Sequence, residues 1–285
     1  WEQLRRDRDS FDFADADEQV AFARQHGKEL RGHALVWGEA LPPWVKTLTT
    51  RAEAERELTA HIRKVVARYR GLIPSWDVVN EVIAHDPAAR GPWRETIWNR
   101  LIGPDHVEIA FRAAAEADPA ARLVINDYDF ENPDERTALR RKQLLAIVRN
   151  LKDKGVPIHG VGFQAHLYAE RQIDHEGLAR FAEDIGALGL EVLVTELDVI
   201  DWKLPQNAAQ RDKAAARLAR DFLEALAAGK LPSAIVTWGM SDRYSWISDV
   251  FPRQDEAQAR PLPLDRDYQP KPMWRAIEAF CASRA

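Results

Sequence analysis

The stretch Ser75-Trp-Asp-Val-Val-Asn-Glu81 passes through apolar or β-prone positions and ends on an amide and a carboxylate. It predicts a buried strand whose last two residues leave the core. A carboxylate at the end of a buried strand is costly unless it is hydrogen-bonded or has a chemical task. A second stretch, Glu191-Val-Leu-Val-Thr-Glu-Leu-Asp198, repeats the pattern and leads to Glu196. The two strands together predict two carboxylates that face each other across one cleft.

Along the whole sequence, these two stretches included, apolar periodicity predicts alternating strands and helices. The predicted strands cover residues 30–37, 75–81, 122–126, 158–166, 191–198 and 234–238. The predicted helices cover residues 15–26, 51–70, 105–117, 133–154, 175–187, 207–228 and 271–282. Strict alternation of this kind indicates an α/β protein with a parallel sheet and helices outside it.

The polar motif residues all lie at the carboxyl ends of predicted strands. In a (β/α)8 TIM barrel this is the face where the chemistry takes place. A doubly wound open sheet is the alternative architecture, but no Gly-x-Gly-x-x-Gly turn follows any predicted strand. Because neither a linker nor a low-complexity segment interrupts the alternation, residues 1–285 are interpreted as a single catalytic domain.

Composition limits the function classes that need to be considered. The chain has 285 residues, 46% of them hydrophobic, and a net charge of −5, so a nucleic-acid partner has no electrostatic support. No apolar run reaches the roughly 20 residues of a membrane span. The single cysteine, Cys281, excludes an internal disulfide framework and a cysteine metal cluster.

Glu81 and Glu196 are the first candidates for catalysis, as the two carboxylates of a glycosidase. A spacing of roughly 5 Å would indicate retention through a covalent intermediate, and roughly 6.5–9.5 Å would indicate inversion. The structural alternative is that each glutamate caps a helix or pairs with an arginine. The residue before Glu81, Asn80, could donate to a sugar 2-hydroxyl or form a turn.

Histidines form a second group of candidates. His166 follows Gln164 by two positions, so both side chains point to the same side of their strand, and Asp198 stands in the same relation to Glu196. A histidine bonded to Glu196 and held by Asp198 would set the charge state of the nucleophile. Zinc binding is an alternative role for a strand-end histidine. His33 is either a site residue or a satisfied core histidine.

Four tryptophans are candidates for stacking on sugar rings. Trp238 and Trp246 flank the exit loop of the last predicted strand and form the favoured pair. Trp37 ends an earlier strand, whereas Trp76 lies early in its strand and is interpreted as a core residue.

Together these motifs resemble glycoside hydrolase family 10, the endo-β-1,4-xylanases. The motifs are Arg31-Gly-His-Ala-Leu-Val-Trp37, Trp76-Asp-Val-Val-Asn-Glu81, Asn126-Asp-Tyr128, Val161-Gly-Phe-Gln-Ala-His166, Thr195-Glu-Leu-Asp198 and Thr237-Trp-Gly…Tyr244-Ser-Trp246. They occur in the family's order along nearly the whole chain. The resemblance implies a (β/α)8 barrel and a retaining glycosidase that needs neither a metal nor another cofactor.

The resemblance also implies a role for each matching residue. Glu81 corresponds to the acid/base and Glu196 to the nucleophile, which His166 and Asp198 would hold. The contacts to the sugar at the cleavage point would come from His33, Asn80, Gln164 and Trp238, with Trp246 as a neighbouring wall. Four further residues match motif positions whose roles the resemblance leaves open: Trp37, Asp77, Asn126 and Tyr128.

Two departures from the family pattern stand out. The family has a strand-helix-strand unit, ending in Glu-Asn-x-Met-Lys-Trp, before the position of Trp1, so the sequence is expected to be N-terminally incomplete. Where the family usually has Trp-His-x-Gln after the third strand, this chain has Trp37-Gly-Glu-Ala40. The lost His and Gln would remove polar contacts to the sugar, and Glu39 adds a charge.

The predicted function is retaining endo-hydrolysis of a β-1,4-linked polysaccharide, with xylan as the first choice. The same chemistry on another β-glycan or an exopolysaccharide is an alternative, and a non-catalytic carbohydrate-binding relative is an alternative of another class. The expected partner is an oligo- or polysaccharide, with neither nucleic acid nor membrane. The protein is expected to be a monomer and to be secreted or periplasmic.

Overall fold

The computed structural model describes residues 1–284, and in this range it contains seven β-strands and ten α-helices. The strands are β1 (Arg31–Gly32), β2 (Ser75–Asn80), β3 (Arg122–Asp127), β4 (Gly160–Phe163), β5 (His166–Tyr168), β6 (Glu191–Ile200) and β7 (Ala234–Thr237). Helices follow the strands along the chain and every strand pairing described below is parallel, as the sequence predicts.

The seven main helices agree closely with the predicted ranges. They are α1 (Ala14–Gln25), α2 (Arg51–Arg68), α5 (Asp105–Ala117), α6 (Glu135–Asp153), α7 (His175–Ala187), α8 (Ala208–Gly229) and α10 (Pro272–Ala282). Three short helices in the loops were not predicted: α3 (Pro87–Arg90), α4 (Ile97–Ile102) and α9 (Ile247–Val250). A 3₁₀ turn at Pro43–Thr47 was also missed.

The chain divides into two compact units, each with its own parallel strands. The first unit comprises Trp1–Asp127 and Ala146–Gly160. The second comprises Tyr128–Leu145 and the chain from Val161 onwards.

In the first unit β1 pairs with β2, and β2 pairs with β3. The register places Asn80 beside Asn126, so two polar residues come together at the carboxyl ends of β2 and β3. The central positions of these strands are apolar and buried, for example Val78 and Val124. Helices α2 and α5 pack against each other in this unit. Because the apolar parts of β2 and β3 pair in parallel, their polar end residues lie together at the carboxyl edge of the sheet.

The predicted strand at residues 30–37 is wrong in extent, because regular pairing stops at Gly32. The peptide bond between His33 and Ala34 is cis. Pairing resumes when the amides of Leu35 and Val36 donate to β2 carbonyl oxygens at 3.0 and 2.9 Å. The segment therefore follows β2 along its length, although only two of its residues form a regular strand.

In the second unit β6 pairs with both β5 and β7. The register places His166 opposite Asp198 and Leu193 opposite Ala234. Helix α8 packs against α7 and α10.

The predicted strand at residues 158–166 is also wrong as one element, because the structure divides it into β4 and β5. Two residues lie between them, and the second, Ala165, has φ of 62°, a left-handed conformation outside the β region. The amide of Glu196 donates to the carbonyl of Gln164 at 3.0 Å, and the amide of Asp198 donates to Ala165 at 3.3 Å. The interruption thus lies directly beside the β6 glutamate.

Candidate active site

In the second unit, the imidazole of His166 lies between two carboxylates of β6. Its Nδ1 is 2.9 Å from Oδ1 of Asp198, and its Nε2 is 3.2 Å from Oε2 of Glu196. All three side chains are largely buried, and that of Asp198 is fully buried. The arrangement matches the predicted one, in which a histidine held by Asp198 contacts Glu196.

The two carboxylates control the charge of His166. Burial alone would lower the pKa of the imidazole, but the charges and hydrogen bonds of Asp198 and Glu196 outweigh burial and raise it to about 10. His166 is therefore an imidazolium at neutral pH, and both ring nitrogens donate hydrogen bonds. A charged donor 3.2 Å from Oε2 binds the carboxyl group of Glu196 and holds it in one orientation.

Two tryptophans complete this part of the second unit. The indole nitrogen of Trp246 donates to Oδ2 of Asp198 at 2.8 Å. The ring of Trp246 meets the imidazole of His166 edge-on, with 5.0 Å between ring centroids. Trp238 also meets His166 edge-on, at 6.4 Å, and its side chain is partly exposed. Trp246 is thus part of the hydrogen-bond chain, whereas Trp238 offers ring surface for stacking on a sugar.

Tyr128 and Gln164 also lie in the second unit. The guanidinium of Arg140, which is fully buried, stacks on the Tyr128 ring at 4.3 Å from its centroid. Arg140 also donates to the Tyr128 carbonyl at 2.9 Å, so both the backbone and the ring of Tyr128 are held. Gln164 is buried, and its backbone carbonyl accepts a hydrogen bond from the backbone amide of Glu196.

In the first unit, Glu81 follows the last residue of β2 and adopts a left-handed backbone conformation with φ of 60°. Non-glycine residues in this region are strained and cluster at functional sites. The Glu81 amide donates to the carbonyl of Asn126 at 2.8 Å. The side-chain amide nitrogen of Asn80 donates to Oε1 of Glu81 at 3.4 Å. The side-chain amide nitrogen of Asn126 in turn donates to Oδ1 of Asn80 at 2.9 Å. The ends of β2 and β3 therefore fix the base of the Glu81 side chain.

The carboxylate of Glu81 forms an ion pair with Arg94, which lies in the loop before α4. Arg94 also pairs with Glu39, the residue that adds a charge to the family motif. The sequence analysis kept an ion pair with an arginine as the structural alternative for Glu81, but it predicted neither Arg94 nor Glu39 as a partner. Neither residue belongs to a periodic pattern, and the loop that contains Arg94 has no strand or long helix.

His33, Asp77 and Trp37 lie in the same unit. Asp77 is buried and accepts from Arg31 at 2.6 Å and from His33 Nδ1 at 3.0 Å. Burial alone would raise the pKa of Asp77, but His33 and Arg31 outweigh it and lower the pKa. Trp37 lines the same small pocket as Glu81. Trp76 is buried, as expected of a core residue.

The sequence analysis also missed Glu131, which lies after β3 in the second unit. Its carboxyl is buried, and Oε1 has no hydrogen-bond partner. Burial, reinforced by the nearby charge of Asp129, raises the pKa of Glu131 to about 7. The pair Glu131 and Asp129 follows the Asn126-Asp-Tyr128 motif directly.

No group of three or more His, Cys, Asp or Glu side chains among residues 1–284 is arranged to hold a metal ion. No helix in this range has the length and apolar character needed to span a membrane.

Comparisons with known proteins identify the family. The family model described as glycosyl hydrolase family 10 matches residues 1–280. The chain is 34% identical to endo-1,4-beta-xylanase B of Thermotoga neapolitana over 278 residues, covering 97% of this chain and 76% of that protein. It is 35% identical to the beta-1,4-xylanase of Dictyoglomus thermophilum, covering 98% of this chain and 79% of that protein.

Solved structures agree. Xylanase 10B from Thermotoga petrophila, solved in complex with xylobiose, matches with a TM-score of 0.89 and 32% identity, covering all of this chain and 83% of that one. These matches confirm the predicted (β/α)8 barrel class, in place of a doubly wound sheet, and the assignment as a glycoside hydrolase. The chain belongs to glycosyl hydrolase family 10, a family of retaining glycosidases.

Proposed function

We propose that the protein is an endo-1,4-β-xylanase in which Glu196 is the nucleophile and Glu81 the acid/base. The observation that supports this assignment most strongly is the contact between Glu196 and His166. An imidazolium that is itself anchored by Asp198 binds Glu196 and fixes its orientation, as the attack of a nucleophile requires. The match of the chain to relatives named as xylanases supports xylan as the substrate, and favours neither another glycan nor a non-catalytic role.

In the first step, a carboxylate oxygen of Glu196 forms a bond to the anomeric carbon. The bond from that carbon to the leaving oxygen breaks, and its electron pair goes to the oxygen. Glu81 supplies the proton that this oxygen takes up. The products are a glycosyl-enzyme ester and a shortened xylan chain.

In the second step, Glu81, now a carboxylate, removes a proton from water. The water oxygen attacks the anomeric carbon, and the ester bond to Glu196 breaks. Two displacements restore the original β-configuration. Asn80, next to Glu81, donates to the sugar 2-hydroxyl, a contact that strengthens in the transition state.

The remaining predicted residues have supporting roles in this proposal. Trp238 and Trp246 provide ring faces or walls for the sugars. Tyr128, which lies in the same unit, is a further substrate-binding residue. Gln164 and His33 contact the sugar at the cleavage point. Trp37, Asp77 and Asn126 support His33, Asn80 and Glu81. The reaction as written requires no metal or other cofactor.

The test is hydrolysis of xylan and of aryl β-xylobiosides by the wild-type protein and by the Glu196→Gln and Glu81→Gln variants. We expect short xylo-oligosaccharides of retained β-configuration from the wild type, and a fall of at least about 10⁴-fold in kcat for xylan with Glu196→Gln. Thermal unfolding of each variant should match the wild type. Near-wild-type turnover by a folded Glu196→Gln variant would contradict the assignment.

We further infer that the protein acts as a monomer outside the cytoplasm. Every residue named in the reaction lies on one chain, and a polysaccharide of xylan's length does not cross a membrane. Sedimentation equilibrium and cell fractionation test these two inferences. A stable dimer, or activity confined to the cytoplasm, would contradict them.

A further inference from the structure

The ion pair between Glu81 and Arg94 extends to a third residue. Nη1 of Arg94 donates to Oε2 of Glu81, and Nη2 of Arg94 donates to Oε1 of Glu39. The Glu81 and Arg94 side chains are mostly buried, at 13% and 22% exposure, whereas Glu39 is 58% exposed. A solvent-facing carboxylate thus holds a guanidinium that reaches inward to the proposed acid/base.

The carboxyl group of Glu81 accepts from a donor at each of its oxygens. A guanidinium has only donors, so Oε2 of Glu81 accepts from Arg94. Oε1 accepts from the side-chain amide of Asn80 at 3.4 Å. The Arg94 contact is the one made by a charged donor, so it contributes most to the orientation of the carboxyl group.

The positive charge of Arg94 would by itself oppose proton donation by Glu81, and Glu39 balances that charge. A lone cation beside Glu81 would favour the carboxylate and oppose proton donation in the first step. Glu39 pairs with the same guanidinium, so Glu81 contacts a neutral ion pair. The other titratable group lining the pocket around Glu81 in this unit is His106. Burial lowers the pKa of His106, so it is uncharged at neutral pH.

We propose that Arg94 is a positioning residue for Glu81, and that Glu39 anchors Arg94 and balances its charge. This inference rests on the proposed role of Glu81 as the acid/base. It gives a function to the replacement of the usual family motif by Gly38-Glu39-Ala40.

The test compares two substrates that differ in their need for an acid. The 2,4-dinitrophenolate of an aryl β-xylobioside leaves without protonation, whereas the phenolate of phenyl β-xylobioside requires it. For Arg94→Gln we expect kcat/KM on the phenyl substrate to fall about 10- to 100-fold, as a misplaced catalytic group does. On the dinitrophenyl substrate, kcat/KM should change by less than about 3-fold, because that leaving group needs no general acid.

Glu39→Gln provides a second, exposed variant that should not disturb folding. We expect the same selective loss on the phenyl substrate, smaller than for Arg94→Gln, and no additional loss in the double variant. Arg90→Gln is the matched control, because Arg90, the last residue of α3, forms an exposed ion pair with Glu95 beside Arg94 in sequence. It should leave both substrates unaffected.

Equal losses on both substrates would indicate a merely structural role and overturn the inference, as would an unchanged phenyl rate in Arg94→Gln or Glu39→Gln. Failure of the proposed function has a different signature. In that case the wild type would release neither phenol, or Glu81→Ala would keep its activity on the phenyl substrate.

Discussion

His166 donates one hydrogen bond to Glu196 and another to Asp198, at 3.2 and 2.9 Å, and thereby connects the proposed nucleophile to a fully buried carboxylate. Asp198 in turn accepts from the indole of Trp246 at 2.8 Å. The series of contacts from Trp246 to Glu196 fixes the orientation of the nucleophile and places the charged imidazole of His166 beside it.

Asp198→Asn should reduce catalysis without unfolding the protein. The amide oxygen of asparagine can still accept from Trp246, but the charge that keeps His166 protonated is lost. The fixed support of Glu196 is then weaker, and we expect kcat on aryl β-xylobiosides to fall on the order of 100-fold. Steady-state kinetics measure the effect, and circular dichroism checks the fold. Unchanged kcat would show that Asp198 has no influence on the nucleophile.

The raised pKa of His166 also makes stability depend on pH. Its folded pKa of about 10 lies above its usual value of 6.5. A raised folded pKa means that the stabilisation is complete below about pH 6.5 and is lost as the pH rises through 10. In denaturant unfolding, the stability advantage of the wild type over His166→Gln should therefore shrink by a few kcal/mol between pH 7 and pH 10. A difference independent of pH would contradict the charged state of His166.

Glu131→Gln should raise the free energy of unfolding relative to the wild type, and the gain should grow with pH. The folded pKa of Glu131, about 7, lies above its usual value of 4.5. Wild-type stability should consequently fall as the pH rises from about 4.5 through 7, because only the unfolded chain ionises easily. A neutral glutamine does not have this penalty, so the variant should gain up to about 3 kcal/mol relative to the wild type between pH 4.5 and pH 8.

The measurement is the free energy of unfolding of both proteins in denaturant at the two pH values. Glu135→Gln is the matched control, because Glu135 is exposed and lies on the same segment. Its difference from the wild type should not follow this pattern. If the difference in free energy of unfolding between Glu131→Gln and the wild type were the same at both pH values, burial would not oppose the ionisation of Glu131.

Gly38 should tolerate no side chain while Thr96 keeps its methyl group. A Cβ at Gly38 would lie 2.5 Å from Cγ2 of Thr96. Thr96 caps α4 by accepting from the Asn99 amide at 3.1 Å, so displacing it would also weaken the cap. We expect Gly38→Ala to lower the free energy of unfolding by about 1–3 kcal/mol.

Thr96→Ser removes Cγ2 but retains the capping hydroxyl, and it should recover most of that loss in the Gly38→Ala background. Thermal unfolding of the two single variants and the double variant tests this. Additive losses in the double variant would contradict the proposed clash.

Much of the fold could be predicted from the sequence because its signals are local. The helices α5 and α7 match the predicted ranges 105–117 and 175–187, since apolar periodicity and flanking residues mark both ends. The glutamates were identified because each comes after a run of mostly apolar strand residues, although β6 continues beyond Glu196 to Ile200. Asp86-Pro87 and Thr96 are cap signals from which the short helices α3 and α4 could have been predicted.

The remaining features depend on contacts between distant residues, which no local pattern indicates. Arg94 meets Glu39 across 55 positions of the chain, and nothing in either segment encodes that meeting. The break at Ala165 depends on a left-handed conformation beside β6 that alanine, unlike glycine, disfavours, so no local signal predicts it. Likewise, the raised pKa of Glu131 is caused mainly by its burial, which depends on the tertiary fold.

The most direct test of the central claim is to trap the covalent intermediate. A 2-deoxy-2-fluoro-β-xylobioside with a dinitrophenolate leaving group slows both displacements, and the second one more, so the glycosyl-enzyme accumulates. After proteolysis, mass spectrometry should find one added fluoro-xylobiosyl group on the peptide that contains Glu196, and none in Glu196→Gln. A label on another residue, or inactivation without any covalent adduct, would contradict the account.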